Sequence, residues 1–442
     1  MDNPDPKTHN LINDPKATWA WVCYDWGNSA FATTVLAGFF PIFFKEYWSE
    51  SVDAAISSAR LGFTNSAAGL FVAILAPVLG AIADRGTFKK NFLLIFTLLG
   101  ITATATLYWV GQGQWQNAVV LFTLSNIGFS GGIIFYDALI TDIASEDRMH
   151  TLSAKGYAFG YLGGGLLFAL NAYMTQSPQT FGLTSDTEAV QFSFLSVALW
   201  WAVFAIPLFV WVRESANPKT ESGLRMITAG FTQLRETVQD IRHHKTVLLF
   251  LFAYWFYIDG VGTIIRMAVD YGMSIGFDSA TLLSALILTQ LIGFPAALIF
   301  GFLGNRIGAK RAIFIGIAIY LLICVGGAFM QTASEFYILG AMVGIAQGGI
   351  QALSRSYYAL LIPPEKSAEY FGFYNMLGKF AAVLGPAIVG GVGLLTYKLG
   401  YSSEISSRLS ISSVAILFVI GGALLYLVEE QDRKEDAVQP AT

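Results

Sequence analysis

The sequence predicts an all-α integral membrane protein with twelve transmembrane helices arranged in two lobes of six. Three observations lead to this prediction: the composition, the number of long apolar segments, and a repeat between the two halves of the chain. The 442 residues are 55% hydrophobic and only 13% charged, and the mean hydropathy is +0.56. A water-soluble protein of this length would need far more charge to cover its surface, whereas a protein surrounded by lipid does not.

Twelve segments are long and apolar enough to cross a membrane. A hydrocarbon core of about 30 Å requires about 20 apolar residues in a helix. Helices are required because lipid offers no partner to backbone polar groups. The predicted spans are 18–43, 61–83, 91–111, 117–141, 154–174, 191–212, 246–269, 280–303, 312–332, 336–361, 369–395 and 409–428. The fifth and eleventh spans have the weakest apolar signal because they are rich in glycine.

The distribution of Lys and Arg predicts the orientation. Loops on one side of the membrane carry 19 of these residues and loops on the other side carry 4, while three lie inside spans, which accounts for all 26. Cytoplasmic loops are the ones enriched in Lys and Arg. We therefore expect both termini to face the cytoplasm, and we expect the chain to be a multi-pass protein of a bacterial-type cytoplasmic membrane.

The longest loop, 213–245, separates a predicted N-terminal lobe, 1–212, from a predicted C-terminal lobe, 246–442. Apolar residues recur in it at intervals of three and four, at Leu224, Ile227, Phe231, Leu234, Val238 and Ile241. This spacing is typical of an amphipathic helix that lies on a membrane surface. A regulatory or partner-binding helix is the alternative interpretation.

The two halves of the chain share a short motif. "GAIADRGTFKK" at 80–90 follows the second span, and "GFLGNRIGAKR" at 301–311 follows the eighth. Gly80 corresponds to Gly301 and Arg85 to Arg306, each 221 positions apart. Six spans, a linker and six related spans are typical of a two-lobed transporter with its binding site between the lobes.

The first of these motifs is similar to the loop signature of the major facilitator superfamily. Longer stretches, "YDWGNSAFATTV", "YIDGVGTIIRMA", "GYAFGYLGG" and "GGIQALSRSYYALLIPPEKSAEYFGFYNMLGKFAAVLGP", resemble the Unknown Major Facilitator family, which includes the autophagy-related vacuolar amino-acid effluxer of fungi. The resemblance implies the major facilitator fold and secondary transport, with amino acids as the best-known substrates of a distant relative. Asn305 occupies the position in the second half that corresponds to Asp84 in the first. A role of the Asp84 carboxylate can therefore not be assigned to the loop of the second half.

In the superfamily, the first, fourth, seventh and tenth helices line the cavity. The candidate substrate-binding or coupling residues are Tyr24, Asp25, Asn28, Ser29, Tyr257, Asp259, Thr263, Gln347, Gln351, Asn375 and Lys379. Together they offer the acceptors, donors and aromatic faces that a small polar ligand requires. Hydrogen bonds that only hold the helices together are the alternative, which stays open for the Asn and Gln residues. For Asp25 and Asp259 we favour a functional role.

Lys379 lies about 15 Å into the eleventh span, near the middle of the membrane. An ionisable residue at that depth is a candidate for function. Our hypothesis is that Lys379 forms an ion pair with Asp25 or Asp259 in the empty state. A substrate carboxylate then replaces that Asp as the partner of the Lys379 ammonium group. A lysine whose head reaches water in the cleft is the structural alternative. Arg266, near the outer edge of the seventh span, is interpreted as structural because it can reach water.

Asp137 and Arg355 are predicted to form a cytoplasmic gate pair. Each lies about 19 residues into its span, which places both about 28 Å from the outer edge. The loop residues Asp84, Arg85 and Arg306 are further gating candidates.

These patterns predict a secondary active transporter that moves a small polar, zwitterionic or anionic solute by alternating access. Proton coupling is compatible with the buried carboxylates, but the sequence does not establish it. A lipid or amphiphile flippase, or a receptor built on a transport fold, is the alternative function.

We do not expect an enzyme, a catalytic residue, a metal site or a cofactor. The "GFSGG" stretch at 128–132 fits a nucleophile-elbow pattern, but it lies inside a span, and all four His residues lie in the tail or loops. The net charge of −4 gives no sign of nucleic-acid binding. The expected partners are a small-molecule substrate, protons and the lipid bilayer, and we expect a monomer.

Overall fold

The computed structural model describes residues 12–49, 54–86, 88–215, 245–274, 277, 279–380 and 384–429. Residues 216–244, which hold the predicted amphipathic linker helix, lie outside the described residues. The same is true of the first eleven residues and of residues 430–442.

The first half of the chain forms six long helices. They are α1 (Pro15–Trp48), α2 (Ala54–Gly86), α3 (Lys89–Trp109), α4 (Trp115–Ile143), α5 (Met149–Gln176) and α6 (Asp186–Trp211). The second half repeats this arrangement, with α11 and α12 each described in two segments. Its helices are α7 (Lys245–Ser274), α8 (Ser279–Ile307), α9 (Ala309–Phe329), α10 (Ala333–Leu361), α11 (Ser367–Phe380 and Leu384–Lys398) and α12 (Ser403–Ser412 and Ala415–Leu427).

Each of the twelve predicted spans falls on one of these helices. Within the described residues, ten helical segments are long and apolar enough to cross a membrane. The two helices outside that set are α2, with 33 residues, and α5, with 28 residues, which are still long enough to span the hydrocarbon core. Of the two glycine-rich spans expected to have the weakest apolar signal, α5 falls outside the set and α11 falls within it.

Polar residues mark several helix starts. The Asp14 side chain accepts a hydrogen bond from the Ala17 backbone N–H at 3.0 Å and caps α1. Thr332 and Glu335 form a reciprocal capping box at the start of α10. The stretches Phe31–Phe39 and Phe44–Trp48 of α1 have π-helical hydrogen bonding. With them, α1 continues beyond the predicted first span of 18–43 and ends at Trp48.

Large aromatic side chains fill the interior of each half. In the N-terminal bundle, α1–α6, the Trp21 ring stacks on Tyr136 with centroids 4.3 Å apart. In the C-terminal bundle, α7–α12, Tyr320 stacks on Phe418 at 5.0 Å. All four rings are buried, so each bundle has an aromatic core of its own.

The connections α2–α3, α4–α5, α8–α9 and α10–α11 meet at one end of the molecule, which we call the basic end. Side-chain bonds from Lys89 to Asp142 and Ser367 bring three of these connections together. The described Lys and Arg residues in or beside the four connections are Arg85, Lys89, Lys90, Arg148, Arg306, Lys310, Arg311 and Lys366. The predicted clustering of positive charge at one end is therefore present in the structure.

Small residues bring the two bundles into contact at the basic end. A Cβ added at Gly80 of α2 would collide with the backbone of Ala368 in α11. A Cβ added at Gly301 of α8 would collide with Ala154 of α5. These pseudo-symmetric crossings, α2 on α11 and α8 on α5, require glycine because the backbones approach so closely. The basic end is therefore closed in this conformation.

Candidate functional site

The guanidinium of Arg355, on α10, lies in the interface between the bundles. Its Nη1 is 3.1 Å from Asp137 Oδ1 on α4 and 3.8 Å from Asp25 Oδ2 on α1. Its Nε and Nη2 donate to the hydroxyl and the backbone carbonyl of Ser153 on α5, both at 2.9 Å. The predicted meeting of Asp137 and Arg355 is therefore present, and Asp25 and Ser153 join it.

Aromatic rings surround the same guanidinium. Arg355 Cζ lies 4.3 Å from the centroid of the Tyr157 ring, 4.7 Å from Trp21 and 5.6 Å from Tyr136. These distances suit cation–π contact, which stabilises a cation that has lost its water. Arg355 is only 2% exposed, so it depends on these rings and on the two carboxylates.

The two carboxylates have further partners. Asn375 of α11 donates to Asp137 Oδ2 at 3.3 Å. Asp25 accepts hydrogen bonds from Ser29 Oγ at 3.1 Å and from the Tyr136 hydroxyl at 3.2 Å. Five predicted residues, Asp25, Ser29, Asp137, Arg355 and Asn375, are thus brought together in one cluster. We call these five, together with Trp21, Tyr136, Ser153 and Tyr157, the Arg355 cluster.

Sequence reasoning missed Ser153 and Tyr157 because it considered helices one, four, seven and ten. The stretch "GYAFGYLGG" in α5 carried the signal. Its tyrosines, Tyr157 and Tyr161, are four residues apart and therefore share one helix face, and glycines precede both. The Tyr161 ring packs against the backbones of Gly293 in α8 and Gly348 in α10, so it too lies between the bundles.

The glutamines of α10 face this second tyrosine. The Tyr161 hydroxyl donates to Gln351 Oε1 at 3.4 Å, and Gln347 also hydrogen-bonds with Tyr161. Both amides are partly exposed. They therefore lie where a solute between the bundles could reach them.

The Lys379 ammonium group has a different partner from the one predicted. Its Nζ donates to Ser130 Oγ on α4 at 2.7 Å, and no ion pair joins it to a carboxylate of the described residues. The predicted pairing with Asp25 or Asp259 is wrong for this conformation. Both carboxylates already face an arginine, and Lys379 crosses the interface to the N-terminal bundle instead.

Asp259 of α7 bonds to the backbone of α11. Its carboxylate accepts the Gly385 backbone N–H at 2.9 Å and the Thr263 hydroxyl at 3.3 Å, and Asp259 is fully buried. Arg266 Nη2 lies 4.0 Å from Asp259 Oδ1. Arg266 therefore turns toward Asp259, and the interpretation of a side chain that only reaches outward to water is incomplete, although that side chain is 46% exposed.

Three other candidates lie inside single bundles. The Tyr24 hydroxyl is 2.8 Å from Thr97 Oγ1 of α3, and Asn28 bonds with the same hydroxyl. The Tyr257 hydroxyl is 2.6 Å from Ser354 Oγ. All three residues are buried, at 2% exposure or less. In this conformation they fit the structural alternative, in which hydrogen bonds hold neighbouring helices together.

The loop motif of the first half connects the two bundles. Asp84 accepts the backbone N–H groups of Ala368 at 3.1 Å and Glu369 at 2.8 Å, at the start of α11. Lys89, 3.8 Å from Asp84, donates to Ser367 at 2.7 Å and also pairs with Asp142. A carboxylate at a helix N-terminus is favourable because unpaired N–H groups and the helix dipole meet it there.

The second half repeats this contact in a weaker form. Asn305 donates to Thr151 Oγ1 near the start of α5 at 2.7 Å. Arg306 is exposed and lies over the ring of Phe302 in its own helix, 5.9 Å from the centroid, while Arg85 is partly buried. Among the loop gating candidates, Asp84 therefore bonds across the interface.

His150, which the sequence analysis places in a loop, lies in the first turn of α5 and contacts the other bundle. Its Nδ1 is 2.8 Å from Ser356 Oγ of α10, and its ring lies against Gly304 of α8. Burial lowers the pKa of His150, which lies ahead of the predicted fifth span, to about 4. The imidazole is therefore neutral in the closed basic end at physiological pH.

Comparison with known sequences gives a consistent result. Residues 56–438 match the family described as "Vacuole effluxer Atg22 like". The chain is 40% identical to an uncharacterized MFS-type transporter, YxiO, of Bacillus subtilis over 414 residues, which covers 93% of this chain and 94% of that protein. It is 23% identical to autophagy-related protein 22 of Coccidioides immitis over 541 aligned positions, which covers 95% and 88% of the two chains.

Solved structures show the same fold. The proton:xylose symporter XylE superposes with a TM-score of 0.70 at 14% identity, over 94% of this chain and 95% of that chain. The human organic anion transporter MFSD10 superposes with a TM-score of 0.69 at 14% identity, over 95% and 100%. The chain is a multi-pass membrane transporter of the alternating-access type rather than an enzyme, and it belongs to the Atg22-like family of the major facilitator superfamily.

Proposed function

We propose that this transporter moves a small zwitterionic or anionic solute, with amino acids as the leading class, and that Lys379 binds its carboxylate. The observation that carries the proposal is the environment of the Lys379 ammonium group. Inside the bundle it has a serine hydroxyl as partner but no carboxylate of the described residues. A partly buried cation inside a membrane span is costly when it has no counter-charge, and an anionic ligand reduces that cost.

A second cation lies near Lys379. Arg266 is close enough to Lys379 for the two positive charges to repel each other. Arg266 pairs with Asp259, which also accepts the Gly385 backbone N–H, and Lys379 pairs with no carboxylate of the described residues. This surplus of positive charge supports a solute that carries at least one negative group.

Neutral polar groups between the bundles suit the rest of such a solute. Gln347 and Gln351 present amide donors and acceptors, and Tyr161 presents a ring and a hydroxyl. A few polar groups in an otherwise apolar cleft are typical of small-molecule sites. The description of the matching family as a vacuole effluxer also supports transport of a solute.

We further propose that the basic end is cytoplasmic, as in membrane proteins whose cytoplasmic loops carry the excess of Lys and Arg. The closed basic end then corresponds to a conformation that opens to the opposite side. The membrane is proposed to be a bacterial cytoplasmic membrane, the lobe boundaries are proposed at 212 and 246, and the transporter is proposed to act as a monomer.

The test begins with a thermal-shift screen of the purified protein against amino acids, short peptides, organic anions and organic cations. We expect zwitterions and anions to raise the melting temperature, and cations to leave it unchanged. The solutes that stabilise are then measured for flux into proteoliposomes. Stabilisation by cations alone would contradict the proposal. Lipid scrambling without solute flux would favour a flippase instead.

A further inference from the structure

The Arg355 cluster contains one more carboxylate than its cation can balance. Asp25 and Asp137 both face Arg355, and all three residues are at least nine-tenths buried. The other titratable groups that face Asp25 are Tyr24 of α1, Tyr136 of α4 and the α5 tyrosines Tyr157 and Tyr161, all of which are neutral phenols. If both carboxylates are ionised, the cluster carries a net charge of −1 in the closed conformation.

A net charge enclosed by protein and lipid is unfavourable, because the nearby medium cannot stabilise it as water does. The cluster can become neutral by binding one proton or one cation. No described Lys or Arg other than Arg355 forms an ion pair with either carboxylate. Closing the basic end therefore favours uptake of one positive charge from the side that remains open.

The geometry selects Asp25 over Asp137 as the acceptor. Asp137 makes the shorter contact to the guanidinium, 3.1 Å against 3.8 Å, and it also accepts a hydrogen bond from Asn375. The other two partners of Asp25 are the hydroxyls of Ser29 and Tyr136. A hydroxyl can turn to accept a hydrogen bond from a protonated carboxyl, whereas a guanidinium can only donate.

Exposure points the same way. The side chain of Asp25 is 12% exposed, whereas that of Asp137 is 5% exposed. Gly160 of α5 packs directly against Asp25, since a Cβ there would lie only 3.1 Å from Asp25 Oδ1. A proton or a water molecule can therefore reach Asp25 more easily than Asp137.

We infer that Asp25 carries one proton in each transport cycle, while the Asp137–Arg355 pair holds the basic end closed. In the closed state the Asp25 carboxylate takes one proton from water on the open side, and the cluster is neutral. When the bundles part, α10 carries Arg355 away from α1 and water enters. Asp25 then releases that proton on the basic side, so one proton crosses per cycle. This inference rests on the proposed solute transport.

Proteoliposomes that enclose a pH-sensitive dye test the inference, with a mixture of labelled L-amino acids as the probe. Two quantities are measured: counterflow exchange of the label, and the pH change driven by an amino-acid gradient with the membrane potential clamped. The wild type should show both. Asp25→Asn should keep counterflow and show a pH change that is smaller by about tenfold or more, because Asn has no titratable proton. Asp25→Glu keeps a titratable carboxyl and should retain both.

Asp147→Asn provides the matched control, because it makes the same chemical change at an exposed loop acid of the basic end. It should behave as the wild type in both measurements. A normal pH change in Asp25→Asn, or loss of counterflow in Asp25→Asn while Asp25→Glu transports normally, would overturn the inference. So would wild-type counterflow without a pH change, which leaves the proposed function intact. Absence of wild-type exchange with every amino acid would contradict the proposed function itself.

Discussion

Arg355 Nη1 lies 3.1 Å from Asp137 Oδ1 and joins α10 to α4 across the interface between the two bundles. Asp25 is a second carboxylate within 3.8 Å of the same nitrogen. Arg355 therefore has two carboxylate partners, so it keeps one of them if the other is removed. The carboxylates have no second cation among the described ion pairs.

This asymmetry predicts unequal effects of the two single substitutions. Arg355→Gln leaves two buried carboxylates without a cation, and breaking a buried pair in this way typically costs about 3–5 kcal/mol. Asp137→Asn leaves Arg355 with Asp25 and should cost clearly less. The melting temperatures of Arg355→Gln, Asp137→Asn and the double variant give the comparison. We expect the double variant to be more stable than Arg355→Gln alone, and additive losses would argue against direct coupling.

The crossing of α2 on α11 should tolerate no side chain at Gly80. A Cβ there would collide with the backbone of Ala368 and Glu369, so Gly80→Ala should force the basic end open. Thiol labelling of Ala154→Cys, in a background without Cys23 and Cys324, measures this opening, because Ala154 lies in the closed α5–α8 contact. We expect labelling to become several-fold faster.

Gly390→Ala is the control for Gly80→Ala, since a Cβ at Gly390 in the second segment of α11 meets open space. It should leave the labelling rate unchanged. Equal rates in Gly80→Ala and the control would mean that the α2–α11 contact does not keep the basic end closed.

The two loop motifs should contribute unequally to closure. Asp84 accepts two backbone N–H groups at the start of α11, and removal of a helix cap costs about 0.5–2 kcal/mol. Asn305 makes one hydrogen bond at an exposed site, where substitutions usually stay within about 0.5 kcal/mol. In the same labelling assay, Asp84→Ala should therefore open the basic end more than Asn305→Ala. The reverse order would contradict this reading of the loops.

Asp259 should stabilise the fold mainly through the hydrogen bonds that it accepts from Gly385 and Thr263. The Asn side-chain oxygen can accept the same hydrogen bonds, so Asp259→Asn should keep most of the stability, whereas Asp259→Ala should lose about 1 kcal/mol or more. Thermal unfolding of the detergent-solubilised protein gives both values. Equal losses in the two variants would show that the charge toward Arg266 matters more than the hydrogen bond to Gly385.

The helices could be predicted because lipid imposes strong rules on the sequence. Each span must be apolar over about 20 residues, and each backbone polar group must bond within its own helix. Depth could also be predicted, because a helix rises by a constant 1.5 Å per residue. That is why Asp137 and Arg355 were matched correctly from their positions in the fourth and tenth spans.

Rotation of each helix about its axis was harder to predict, because packing with neighbouring helices determines it. Lys379 was placed at mid-depth, but the sequence did not indicate that its side chain would face Ser130 on α4. For the same reason, Tyr24 was assigned to the cleft, whereas its hydroxyl faces Thr97 within the N-terminal bundle. The contribution of α5 was missed because the superfamily pattern directs attention to the first, fourth, seventh and tenth helices.

Lys379 is the residue on which the proposed function depends. Lys379→Met removes the ammonium group but keeps a long flexible side chain, so the fold should persist. Lys379→Arg should retain binding only in part, because a planar guanidinium does not replace a compact ammonium group. Lys398→Met provides the control, since Lys398 is exposed at the far end of α11 and the chemical change is identical.

The most direct measurement is equilibrium binding of the most stabilising solute from the screen to purified wild type, Lys379→Met and Lys398→Met. Loss of a buried charge-assisted contact of about 1.5–3 kcal/mol corresponds to roughly 10-fold to 150-fold weaker binding. We predict that loss for Lys379→Met, with Lys398→Met equal to the wild type. If Lys379→Met binds the solute with wild-type affinity, Lys379 does not hold the substrate carboxylate and the proposed mechanism is wrong.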